Sequence, residues 1–221
     1  MAGLPKIRLG RSDMLVSRLI SGGNPLCGNS HFSNKMSVEM QEYFTSERVV
    51  AYLHSLQAAG INALQARGDY HRVLHWLELF RREGGQLHWI AQTASEMSDV
   101  FQNIRILAAA GAAGVYHHGT ETDRLWLAGR IDQVCDYLKC MRDAGVQVGL
   151  GTHIPEVIEY AEDSGWDIDF YMACLYNIKP KDAVVVGMFP KDLDQIAINV
   201  QYTRAACGCE ASNETNAGAS K

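Results

Sequence analysis

The chain has 221 residues, 47% of them hydrophobic and 20% charged, an ordinary globular composition that is long enough for one large α/β domain. Its formal net charge is -5 and no stripe of Lys or Arg runs through it, which argues against nucleic acid as a main partner. The longest apolar runs are strand-sized, far short of the roughly 20 residues of a membrane helix, and the opening MAGLPKIRLGRSD lacks an apolar secretory core, so no membrane association and a cytoplasmic location with reduced thiols are expected.

In chain order, two short alternating runs flank Gly10-Arg11-Ser12-Asp13 and predict a β-hairpin over residues 6–19. Leu19-Ile20-Ser21-Gly22-Gly23 reads as a first buried strand ending in glycines. Residues 24–44, rich in Asn, Ser and Met, read as a long loop that either forms a lid or binding segment or is poorly ordered. Thr45 or Ser46 caps a helix that carries Val49, Val50, Leu53 and Leu56 at helical spacing. Strands are predicted over 61–66, 87–92, 113–117, 146–151 and 169–176. Helices over 70–83, 98–110, 123–143 (broken near Gly129) and 155–164 alternate with them, the last led in by Pro155. A strand over 183–187 precedes a helix over 191–204. One domain over 1–205 is expected, with a small, polar, disordered tail over 206–221. Cys207 and Cys209 in that tail lack the second pair that would complete a zinc site.

Five times a helical stretch ends in glycine and an apolar strand begins at once: at Gly60, Gly85, Gly111 to Gly114, Gly145 and Gly165. Glycine closes a helix in the left-handed conformation without a Cβ penalty. Repeated in this way, the junction marks βα units around a parallel sheet, whose chemistry gathers at the strand C-termini. The count is seven barrel-type strands. Asn177 to Asp182 cannot hold a parallel crossover, which needs about a dozen residues or more. Either a βα unit is absent there or the last strand is not parallel and adjacent to the one before it.

The strand ends are rich in polar residues. They offer Gln65, Arg67, Asp69 and Tyr70; Gln92 and Thr93; His117, His118 and Glu121; Thr152 and His153; and Cys174, Tyr176 and Asn177. In a closed barrel these converge on one mouth. His117 and His118 are adjacent, so in an extended segment they point to opposite sides and at most one faces the mouth. His153 is either a mouth residue or a helix-entry residue, and Arg67 and Asp69 either serve the mouth or pair with each other. His117, Asp69, Glu121 and His153 together are a mixed His and carboxylate set. Such a set suits a divalent metal that polarises a carbonyl or hydroxyl, as in a sugar isomerase or epimerase.

IRLGRSDMLVSRLISGGNPL, residues 7–26, resembles the hairpin and first strand of the aldo/keto reductases, commonly LGxTGxxVSxLGLGGMxL. INALQARGDYHRVL sits where that family has FDTAxxYG, and VYHHGTETD where it has LxHxPD. DAVVVGMFPKDLDQIAINV resembles the family's last unit, which grips the adenosine phosphate of the cofactor. The resemblance implies an α/β, TIM-barrel-like (β/α) fold with an N-terminal hairpin, lacking the seventh strand-helix unit. It implies an oxidoreductase with NADP as cofactor and a small-molecule substrate. Tyr70 falls at the family's proton donor, and His117 or His118 at its histidine. Gln65 falls at its Asp, and Gln92 or Thr93 at its Lys. Arg67 and Asp69 are the charged neighbours of Tyr70. Gly187, Lys191, Asn199 and Asn177 are the cofactor-binding positions. In the family, Lys and Asp make the tyrosine acidic enough to act. Without the Lys, Tyr70 keeps an ordinary phenol pKa, so the chemistry is expected to be altered or lost. A non-catalytic remnant that binds a ligand or partner is the third reading.

Overall fold

The computed structural model describes residues 4–30, 33–68 and 71–173. The expected hairpin is present: β1 (Lys6–Arg8) pairs antiparallel with β2 (Leu15–Ser17), Ile7 opposite Val16. Its turn is held by Ser12, whose buried hydroxyl donates to the Leu9 carbonyl (2.7 Å) and accepts the Met14 N–H (3.2 Å).

Six strands follow and pair in parallel, in chain order: β3 (Ser21–Gly22), β4 (Ala63–Arg67), β5 (His88–Gln92), β6 (Gly114–His117), β7 (Gln147–Thr152) and β8 (Phe170–Ala173). The sheet curls strongly into a half barrel, with helices between the strands. Those helices are α1 (Asn24–Cys27), α2 (Asn34–Tyr43), α3 (Ser46–Ala58), α4 (His71–Arg82), α5 (Val100–Ala109), α6 (Gly119–Leu127), α7 (Gln133–Asp143) and α8 (Pro155–Asp163). The expected strand over 183–187, the helix after it, the 177–182 junction and the tail lie outside the described residues. Among the described residues, no helix is long and apolar enough to cross a membrane.

The glycine junctions close their helices as expected. Gly60, Gly84, Gly111, Gly145 and Gly165 all have φ between 67 and 85, one each after α3, α4, α5, α7 and α8. The next N–H then reaches back five residues along the chain, as from Ile61 to the Leu56 carbonyl (3.0 Å) and from Ala112 to Leu107 (3.0 Å). That is the Schellman closure, and it turns the chain at once into the following strand. At one junction the glycine roles differ from expectation. Gly84 is the left-handed residue, whereas Gly85 gives room to Phe80, whose ring would lie 2.2 Å from an added Cβ.

Three other expectations need correction. The first buried strand is only the two-residue β3, and Leu19 and Ile20 are 58% and 37% exposed ahead of it. The long loop over 24–44 contains α1 and α2; Ser33 caps α2 by accepting the Met36 N–H (3.2 Å), but no α2 residue is buried, so there is no apolar stripe to signal a helix. The helix expected over 123–143 starts earlier, at Gly119, because His118 caps it, and Gly129 (φ 64) splits it into α6 and α7.

The core has two layers. On the outer side of the sheet, Leu64, Trp89, Val115 and Leu150 pack under the helices. On the inner side, Ala63, Ile90, Tyr116 and Phe170 meet Leu9 and Val16 of the hairpin. The hairpin is fastened at the N-terminal end of the sheet. Ser17 N–H donates to the Asn62 side chain (2.6 Å) just before β4, and Arg11 N–H donates to the Asp169 carbonyl (2.7 Å) just before β8. The apolar plug therefore closes one end of the half barrel and leaves the strand C-termini at the other.

Gly149 on β7 makes the inner layer fit. A Cβ there would lie 2.4 Å from the Phe170 ring and 2.6 Å from the Tyr116 Cβ. Gly149→Ala is expected to cost about 2 kcal/mol through overpacking. Urea denaturation checks this; an unchanged midpoint would mean that the inner layer can relax.

Candidate functional site

Side chains alternate across a strand, so one inward residue assigns the rest. The inner face that holds Ala63 and Ile90 continues to Gln65 and Arg67 on β4 and to Gln92 on β5. From Tyr116 it continues to His118, just past β6. Arg67 and Gln92 are paired in register at the strand ends. The inner face thus changes from apolar beside the hairpin to polar at the C-terminal mouth.

Gln65, at the position where the resemblance places an Asp, donates its amide N–H to the Tyr116 hydroxyl at 2.6 Å. It is a neutral hydrogen-bond partner and contributes no charge to the mouth. Gln92 shares the inner face. Thr93 lies on the other side, buried, and its hydroxyl accepts the His118 N–H (3.0 Å). Of the two residues at the Lys position, only Gln92 reaches the mouth face, and it too is neutral.

Arg67 places a cation on this face. Its side chain is 15% exposed, and its Nη2 contacts both Glu96 carboxylate oxygens (2.6 and 2.9 Å) and the Ser95 hydroxyl (3.4 Å). Glu96 comes from the connection between β5 and α5 and is itself 61% exposed.

The two histidines separate as alternation requires. His117 lies on the helix-facing side, 2% exposed, and not in the mouth. Its ring stacks on Tyr137 of α7 (centroids 5.1 Å apart, 21° between planes), and its Nδ1 is 2.8 Å from the Thr122 hydroxyl. Burial, with smaller contributions from His118 and Arg124, lowers its pKa to about 3. His117 is therefore a neutral packing residue. His118 stands on the inner face, and its Nδ1 accepts the Thr120 N–H (3.2 Å), capping α6. An accepting Nδ1 carries no proton, which puts the proton of the neutral ring on Nε2.

A further pair sits at the end of β7. Asp123, one turn into α6, accepts the Thr152 hydroxyl (2.5 Å) and the His153 N–H (3.2 Å), and its other oxygen is 2.6 Å from His153 Nδ1. The imidazole lies against Gly119, where an added Cβ would be 3.2 Å from His153 Cε1. A carboxylate on Nδ1 fixes both the tautomer and the orientation of the ring. Asp123 reads in the sequence only as a helix residue. It lies 30 positions from its partner, so no local motif links them.

No known protein family matches the chain, and no curated protein does.

Tyr70, Asp69, Asn177, Gly187, Lys191 and Asn199 lie outside the described residues. Of the mixed metal set, His117 is turned to the helices and Glu121 is bonded to Arg124 (2.8 Å). Among the described residues, no group of three or more His, Cys, Asp or Glu is placed to hold a metal ion. The described mouth is thus a surface of neutral amides and two oriented histidines around one arginine.

Proposed function

We propose that this half barrel belongs to a TIM-barrel-like (β/α) protein of the aldo/keto reductase type that binds NADP and a small polar substrate at the strand C-termini. The family's charged proton relay is altered in it. The observation that carries the reading is the polarity of the inner face. It is sealed by an apolar hairpin at the N-terminal end and lined at the opposite end by Gln65, Arg67, Gln92 and His118. The resemblance supplies the cofactor, through the last unit with Gly187, Lys191 and Asn199, and Tyr70 as proton donor. Because Gln65 and Gln92 carry no charge, tyrosine-driven carbonyl reduction is expected to be slow or absent while binding persists.

Titration with NADPH tests this. Quenching of tryptophan fluorescence at micromolar cofactor supports it, and an unchanged signal up to millimolar cofactor overturns it. Turnover of simple aldehydes, followed by loss of NADPH absorbance, separates an altered relay from an intact one.

A further inference from the structure

We infer that the mouth recognises a carboxylate group on its ligand. The Arg67 guanidinium would receive that group, and Glu96 holds its place until the ligand arrives. The inference rests on the mouth being the binding site, as proposed above, but it does not depend on the nicotinamide cofactor.

The two partners are unequal in their surroundings. The Arg67 side chain is only 15% exposed, so its charge depends on polar and charged partners more than on water. The Glu96 side chain is 61% exposed on a connection between elements, so water can solvate it almost as well when it swings away. Glu96 sets both of its oxygens on one end of the guanidinium, at 2.6 and 2.9 Å. A guanidinium is planar and presents several donors, which suits a planar carboxylate better than a point charge does.

The ground beneath the pair is fixed. Asn103 of α5, 1% exposed, accepts the Ala94 N–H (2.8 Å) and donates to the Gly68 carbonyl (3.4 Å). Gly68 N–H in turn donates to the Gln92 carbonyl (2.8 Å). One buried amide therefore ties together the chain just after Arg67 and the start of the connection that carries Glu96. The arginine stays in place while the exposed glutamate can exchange. Gln92, in register with Arg67 on the same face, supplies a neutral amide beside the incoming carboxylate.

Malonate is the probe, titrated into the purified chain without NADP and followed by calorimetry at constant ionic strength, with malonamide as the uncharged control. A glutamate tethered beside its arginine competes at an effective concentration in the millimolar range, so Glu96→Gln is expected to tighten malonate binding about tenfold. Arg67→Gln is expected to abolish it, and malonamide to give no heat. Should Arg67→Gln fail to fold, Arg67→Lys keeps the charge, loses the planar fork, and is expected to bind at least several-fold more weakly. Glu96→Gln binding malonate no better than the unmodified chain would overturn the inference, as would an Arg67 variant that binds equally well. Neither outcome bears on the NADPH titration, so the two readings fail separately.

Discussion

Mild acid is expected to destabilise the fold through His117, by about 2 kcal/mol at pH 5 relative to neutral pH. The sign follows from the two states. In the folded chain the buried ring resists protonation and its pKa is about 3. In the unfolded chain it titrates at the ordinary value of 6.5. The unfolded state therefore binds the proton first. Stability is intact above the unfolded value and is lost progressively as pH falls from there toward the folded one. His88 adds to the same trend, since burial and the nearby Lys6 also lower its pKa. His117→Phe keeps a ring against Tyr137 but cannot take up a proton. It loses the contact with the Thr122 hydroxyl, so it should be less stable than the unmodified chain at neutral pH, by about 1 kcal/mol. Its urea midpoint should then fall much less between neutral pH and pH 5. Parallel slopes for the two proteins would mean that the ring admits a proton without unfolding.

The same histidine illustrates where sequence reading stops. Alternation requires His117 and His118 to face opposite ways, but Val115 and Tyr116 are both apolar, and a strand covered on both sides carries no polarity pattern to say which way is in. Only the packing of Tyr116 against Ile90 and the hairpin decides it. The helix ends were far more legible. A glycine followed by an apolar residue specifies a Schellman closure and the strand after it from a few neighbouring letters. Helix α2 was illegible for the opposite reason: it buries nothing, so no stripe recurs at helical spacing. The mouth was legible as a collection of polar strand ends but not as a set of partners. Gln65 can be read as a neutral replacement for an acid, yet its bond to Tyr116 spans 51 positions, and Arg67 meets Glu96 across 29. Those pairings are set by strand order and curl.

Removing the Asp123 carboxylate is expected to cost about 3 kcal/mol, because three donors lose one shared acceptor and each bond is worth about 1 kcal/mol or more. The Thr152 hydroxyl is the most sensitive of them. Its residue is 2% exposed, so water cannot readily replace the lost partner, although the Ile154 carbonyl, 3.3 Å away, remains as a weaker one. Asp123→Ala should therefore lower the urea midpoint and loosen α6 from the end of β7. Asp123→Asn separates packing from tautomer. Its side-chain oxygen can still accept from Thr152 and from the His153 N–H, while its amide group faces Nδ1 as a donor. The ring must then accept at Nδ1 and carry its proton on Nε2, the reverse of the arrangement imposed by a carboxylate. Nitrogen NMR of the imidazole reads this directly. The unmodified chain should show a protonated Nδ1, and Asp123→Asn a protonated Nε2 with most of the stability retained. If both proteins gave the same tautomer, Asp123 would be an anchor for the backbone after β7 and would not govern the histidine. If the tautomer inverts, the end of β7 holds a ring whose Nε2 is set as donor or acceptor by a residue one turn inside a helix. Any ligand that reaches His153 would then meet an acceptor where the amide variant presents a donor.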